Sequence, residues 1–164
     1  MEILGLAIVV VIILVAAAIF IQLSFGKKQA DYRKPFTSSE LASNMLNTYL
    51  DTTSRDCSLL TMTELLQDCA QGQGFVCENG GVPQNSCDYA KSSATEIFDK
   101  TFKKWNMKYE FMVCTNFDYK KAACTSSSML FSPIGNKCLG EKEFKLFPIP
   151  SASGTIYVKL DLCL

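Results

Sequence analysis

Histidine is missing from this 164-residue sequence. Its absence removes Ser-His-Asp and Cys-His catalysis, His-ligated zinc and haem, and the usual switch near neutral pH. Net charge is missing too: sixteen Lys and Arg balance sixteen Asp and Glu. A neutral chain gives no global electrostatic reason to expect nucleic acid as a partner. No cysteine precedes Cys57, and no two cysteines have the short spacing of a zinc knuckle or a C-x-x-C redox motif. The dispersed cysteines also do not match an iron–sulfur run. EF-hand spacing, G-x-G-x-x-G and the P-loop are likewise absent, and Ser126–Ser128 has no S-x-x-K arrangement. No catalytic constellation, cofactor site or metal site is therefore expected.

The sequence does contain a long apolar run. Ile3–Phe25 carries no charge, and its only polar side chains are Gln22 and Ser24. At roughly 1.5 Å per helical residue it extends about 35 Å, enough to cross a hydrocarbon core of about 30 Å. In lipid a helix satisfies its own backbone, so the β-branched stretch Val9–Ile13 is no obstacle. A cleavable signal peptide would have a basic start and a shorter apolar region; here Met1-Glu2 precedes the run. The run is expected to be a retained transmembrane anchor. Lys27, Lys28, Arg33 and Lys34 follow it, and by the positive-inside rule they would hold the remainder in the cytoplasm. The cysteines point the other way, and snorkelling to anionic headgroups accounts for the basic cluster. The expected organisation is an anchor over 1–25, a basic juxtamembrane linker over 26–36 and an extracytoplasmic α+β domain over 37–164.

Eight cysteines lie in that last region: Cys57, Cys69, Cys77, Cys87, Cys114, Cys124, Cys138 and Cys163. Their even number and dispersed spacing predict structural disulfides formed in an oxidising compartment. Eight cysteines allow 105 pairings, and the sequence does not choose among them.

The periodicity predicts helices first and strands last. Thr37-Ser38-Ser39-Glu40 offers caps for a helix to about Thr52, whose apolar face is Leu41, Met45, Leu46, Tyr49 and Leu50. Thr61 and Glu64 have capping-box spacing for a second helix to Ala70. Residues 71–86 read as loop, with Glu78-Asn79-Gly80-Gly81 as a turn able to close a small hairpin. Ser86 is expected to cap a third helix to Trp105, burying Tyr89 or Ala90, Ala94, Ile97, Phe98, Phe102 and Trp105. A period of two then appears at 109–113, at 143–149 and, most regularly, at 155–163. In the last segment Ile156, Val158, Leu160 and Leu162 alternate with Tyr157, Lys159 and Asp161. Helices followed by antiparallel strands make an α+β domain.

Other candidates for chemistry have plainer readings. Asp51, Asp56, Glu64, Asp68, Asp118 and Asp161 are scattered carboxylates expected on a solvated surface. Ser126–Ser128 reads as a loop. Lys100, Lys103 and Lys104 form a basic patch whose interleaved aromatics Phe98, Phe102 and Trp105 fit a core face better than a base-stacking platform.

Glu2, the run Ile3–Phe25 and the late Cys163 resemble type IV pilin-like proteins and small membrane-anchored archaeal surface proteins. The resemblance implies an α+β head ending in a strand and a role in assembly; the missing histidine and the lack of a catalytic constellation lead to the expectation of no enzymatic activity. The expected function is a single-pass, membrane-anchored surface protein with a disulfide-stapled domain in a structural or binding role, as a pilin-like subunit or scaffold. Its expected partners are the lipid bilayer through Ile3–Phe25, and further copies of itself or other envelope proteins. The competing class is a membrane-tethered extracytoplasmic enzyme with a site of unfamiliar pattern.

Overall fold

The computed structural model describes Val11 and residues 13–20, 37–72 and 74–164. The chain divides into two units, Met1–Thr37 and Ser38–Leu164. Most of the expected anchor Ile3–Phe25, including Glu2 before it, and the whole linker 26–36 lie outside the described residues. The described part of the run, Val11 and 13–20, is helical, with Val11, Ile13, Leu14, Val15, Ile19 and Phe20 exposed. Among the described residues no helix is long and apolar enough to cross a membrane.

The second unit is α+β. Helix α1 covers residues 37–51, α2 Met62–Gln71 and α3 Ser86–Phe102. Of the expected α1 face, Leu46, Tyr49 and Leu50 are buried and Leu41 and Met45 partly so, while Ala42 is buried beside them. The capping box of α2 is complete, with Thr61 Oγ1 accepting from the Glu64 amide and the Glu64 carboxylate accepting from the Thr61 amide. A hairpin of β1 (Val76–Asn79) and β2 (Val82–Asn85) separates α2 from α3. Gly80 and Gly81 both have positive φ, as its two-residue turn requires.

Helix α3 differs from expectation at both ends. Asn85, not Ser86, is the N-cap, its side chain accepting from the Asp88 amide 2.8 Å away. The helix stops at Phe102 because Asn106 takes a left-handed backbone and the Met107 amide turns back to the Phe102 carbonyl. Trp105 therefore leaves the buried stripe and is 49% exposed.

Four strands form the main antiparallel sheet, in the order β6-β3-β8-β7. They are β3 (Tyr109–Cys114), β6 (Ile134–Gly135), β7 (Lys142–Ser151) and β8 (Gly154–Cys163). The last strand is interior, paired with β3 on one side and β7 on the other. Pro148 and Pro150 lie on β7, the edge strand, where a missing amide costs no ladder bond. The helices cover one face of the sheet. Tyr49, Phe98, Phe111, Val158 and Leu160 belong to that core, and Phe98 lies 5.0–5.8 Å, ring to ring, from Tyr49, Phe102, Tyr109 and Phe111.

The opposite sheet face is also covered. The segment between β3 and β6 holds a small hairpin, β4 (Phe117–Asp118) with β5 (Ala123–Cys124). Met112, Cys114, Phe117 and Cys124 bury a second apolar cluster, against which Ala122, Met129, Leu146 and Tyr157 pack.

All eight cysteines are paired: Cys57–Cys77, Cys69–Cys87, Cys114–Cys124 and Cys138–Cys163. The first fastens the β1–β2 hairpin to the turn Arg55–Cys57 before α2, and the second joins α2 to the start of α3. The third closes the β4–β5 cover, and the fourth ties the end of β8 to the loop before β7. Four disulfides in a domain of this size are the mark of an extracellular or secreted protein.

Candidate functional site

The carboxylates expected on the surface do not gather into one site. Glu64 is spent on its capping box. The Asp68 carboxylate accepts from the amides of Gly74 and Phe75, and Asp118 from those of Lys120 and Lys121. Asp56 lies 3.5 Å from the Tyr89 hydroxyl. Asp51 is exposed on the last turn of α1. Ser126–Ser128 forms a short 3-10 turn held by Thr125 and Asn116. In the α3 patch Lys100 pairs with Glu96 and Lys103 with Asp99, both at i,i+4, while Phe98 and Phe102 are core residues. Exposed pairs of this kind contribute little stability. Among the described residues no group of three or more His, Cys, Asp or Glu could hold a metal ion.

Asp161 is the exception, and the expected alternation on β8 fails there. Lys159 and Asp161 face away from the helices, yet both are fully buried. In register, Lys159 stands between Met112 of β3 and Leu146 of β7. Asp161 stands between Glu110 and Phe144. Lys159 Nζ lies 2.6 Å from Asp161 Oδ1 and 2.7 Å from Oδ2. From the edge strand, Lys142 Nζ reaches Asp161 Oδ2 at 2.6 Å. The Lys159 ammonium also lies 5.2 Å from the Phe144 ring centroid, a cation–π contact.

The two lysines are driven in opposite directions. Burial lowers the pKa of Lys159, outweighing its hydrogen bond to Asp161. The hydrogen bond to Asp161 raises that of Lys142, whose side chain is 34% exposed, and the charge of Glu110 adds to the rise. Asp161 Oδ1 accepts no hydrogen bond of proper angle although Lys159 Nζ is within 2.6 Å. The Lys159 ammonium gives its hydrogen bond to Oδ2 instead.

No protein-family model, curated protein or solved structure matches this chain. What can be said of its chemistry rests on its own residues. A fully buried lysine in contact with a carboxyl group, with a second lysine on the same oxygen, is a desolvated charge cluster in which nitrogen and carboxyl are held within reacting distance. Sequence reading missed it because alternation treats every second residue of β8 as solvent-facing. The one available signal was the pair of charges, Lys159 and Asp161, inside the most regular strand.

Proposed function

We propose that this chain is a single-pass membrane-anchored surface protein, its disulfide-stapled α+β domain extracytoplasmic and its role structural or binding, as a pilin-like subunit or scaffold. The observation that carries the reading is the complete pairing of eight cysteines in the unit that follows the uncharged run Ile3–Phe25. Paired cysteines support an oxidising compartment, and the length and apolarity of the run support an anchor. The α+β unit ending in β8 with Cys163 supports the pilin-like form of the reading.

An impermeant maleimide on intact cells tests it. The cysteines are expected to label only after a reductant has been added. Labelling without reductant would mean free accessible thiols. Labelling only after lysis would mean that Lys27, Lys28, Arg33 and Lys34 set the orientation and that the domain is cytoplasmic. The chain is also expected to remain with the membrane in alkaline carbonate; release would remove the anchor from the proposal.

A further inference from the structure

On the outer face of the sheet the fully buried pair Lys159 and Asp161 is flanked by the exposed Lys142 and the half-buried Glu110, four charged groups on three neighbouring strands. Burying an ion pair costs solvation that mutual attraction seldom fully returns. A reaction that removes one positive and one negative charge together would relieve that cost and leave the other two balanced. We propose that Lys159 and Asp161 condense to an intramolecular isopeptide bond once the domain has folded, with Lys142 holding the carboxyl oxygen. This inference goes beyond the anchoring proposal and does not depend on it.

The geometry fits each requirement. An atom nearly equidistant from both carboxylate oxygens lies close to the plane that bisects them and contains the carbon between them. At 2.6 and 2.7 Å from Oδ1 and Oδ2, Lys159 Nζ lies on that plane at the outer side of the carboxyl group, in contact as an ion pair, and rotation about the Asp161 Cβ–Cγ bond turns Cγ, the atom that it must attack, toward the nitrogen. Reacting groups held in contact gain the large advantage of an intramolecular reaction. The nucleophile must be the neutral amine, and Lys159 is the fully buried lysine of the two. Lys142 remains an ammonium 2.6 Å from Oδ2, where it stabilises the negative charge that develops on the oxygen as Cγ becomes tetrahedral.

The balance closes without any co-reactant. A proton passes from the Lys159 ammonium to the Asp161 carboxylate, giving amine and carboxylic acid. The nitrogen lone pair forms a bond to Cγ, a C–O bond breaks, and the oxygen leaves with two protons as water. No group is oxidised or reduced. Lys142 loses Asp161 as its counter-ion and keeps the longer-range attraction of Glu110, which stands opposite position 161 on β3.

Intact mass of the denatured, fully reduced full chain, purified in detergent after native folding, tests the proposal. The folded chain is expected to be lighter than its sequence by one water. Trypsin should then fail to cut after Lys159, and fragment spectra should place the loss between residues 159 and 161. The Asp161→Ala variant should retain the full sequence mass. Wild-type chain kept unfolded in denaturant should also have the full mass and lose water only on refolding, a readout that does not require any variant to fold. A folded wild-type chain with four disulfides, full mass and normal cleavage at Lys159 would overturn the proposal. So would a link formed through Lys142.

Discussion

Removing the Cys138–Cys163 bridge is a clean test of how much the staples contribute. Cys57, Cys77 and Cys114 are almost or fully buried, so serine there would add an unsatisfied hydroxyl to the loss of the bond. Cys138 and Cys163 are only half-buried, and serine at either is close to neutral apart from the bridge itself. The bridge spans 25 residues, and restricting a loop of that length in the unfolded chain stabilises by about 3.5 kcal/mol on the chain-entropy model. The Cys114–Cys124 bridge spans 10 residues, for which the same relation gives about 2.7 kcal/mol. Trp105 is the single tryptophan and is half-exposed beside Phe102, so its fluorescence reports unfolding of the α3 end without an added probe. Urea titration of the full chain in detergent, parent against Cys138→Ser/Cys163→Ser, should show a loss of about 3.5 kcal/mol, a large share of a domain's stability. Reductant should lower the parent further than the variant, because only three bridges remain in the variant to be broken. A variant as stable as the parent under oxidising conditions would refute the view that this staple stabilises the domain through its unfolded chain.

Further outcomes follow from single positions. Phe98→Ala removes a fully buried ring in contact with four others and should cost about 3–5 kcal/mol in the same titration. Gly135→Ala should be strongly destabilising, by about 2 kcal/mol or more, and should loosen β6 from β3, seen as faster amide exchange at Ile134. Its φ is +89°, and an added Cβ would lie 2.2 Å from the Tyr109 carbonyl oxygen. The hydrogen bond from Lys103 holds the Asp99 carboxyl below its usual range, with a second from Tyr109. A lowered folded-state pKa stabilises above the unfolded value of about 3.9 and is lost as pH falls through the folded value. Asp99→Asn should therefore flatten the acid limb of the stability profile below that pH, and an unchanged limb would exclude Asp99 as a contributor. Val11→Arg should reduce membrane insertion by about 2.5–3.5 kcal/mol in a glycosylation-based insertion assay.

Much of the fold could be read because its signals are local. Thr61 and Glu64 form a capping box within one helical turn, and Gly80-Gly81 can only be a tight turn, so the structure repeats both. Ile156, Val158, Leu160 and Leu162 alternate because one face of β8 meets the helices. The end of α3 was misjudged because Trp105 continues the apolar spacing, while the left-handed backbone at Asn106 that ends the register has no comparable sequence signature. The bridge pattern was not legible because each pairing joins segments whose approach depends on the whole domain.

The candidate site was hidden for the same reason, in a stronger form. Lys159 is flanked by residues far away in sequence, Met112 and Leu146, which pack with Phe117 and Cys124 of the hairpin in the second apolar cluster. Without that cover Lys159 would be an ordinary lysine on the open face of a sheet, with its pKa unshifted by burial. The Cys114–Cys124 bridge joins β3 to β5 within that cluster, and its oxidation is expected to favour the packing beside Lys159. Chemistry at Asp161 should accordingly follow disulfide formation. A chain refolded under reducing conditions should leave Lys159 accessible to an amine-acylating reagent, whereas the oxidised chain should protect it. Equal acylation of Lys159 in both states would separate the cover from the burial of the pair.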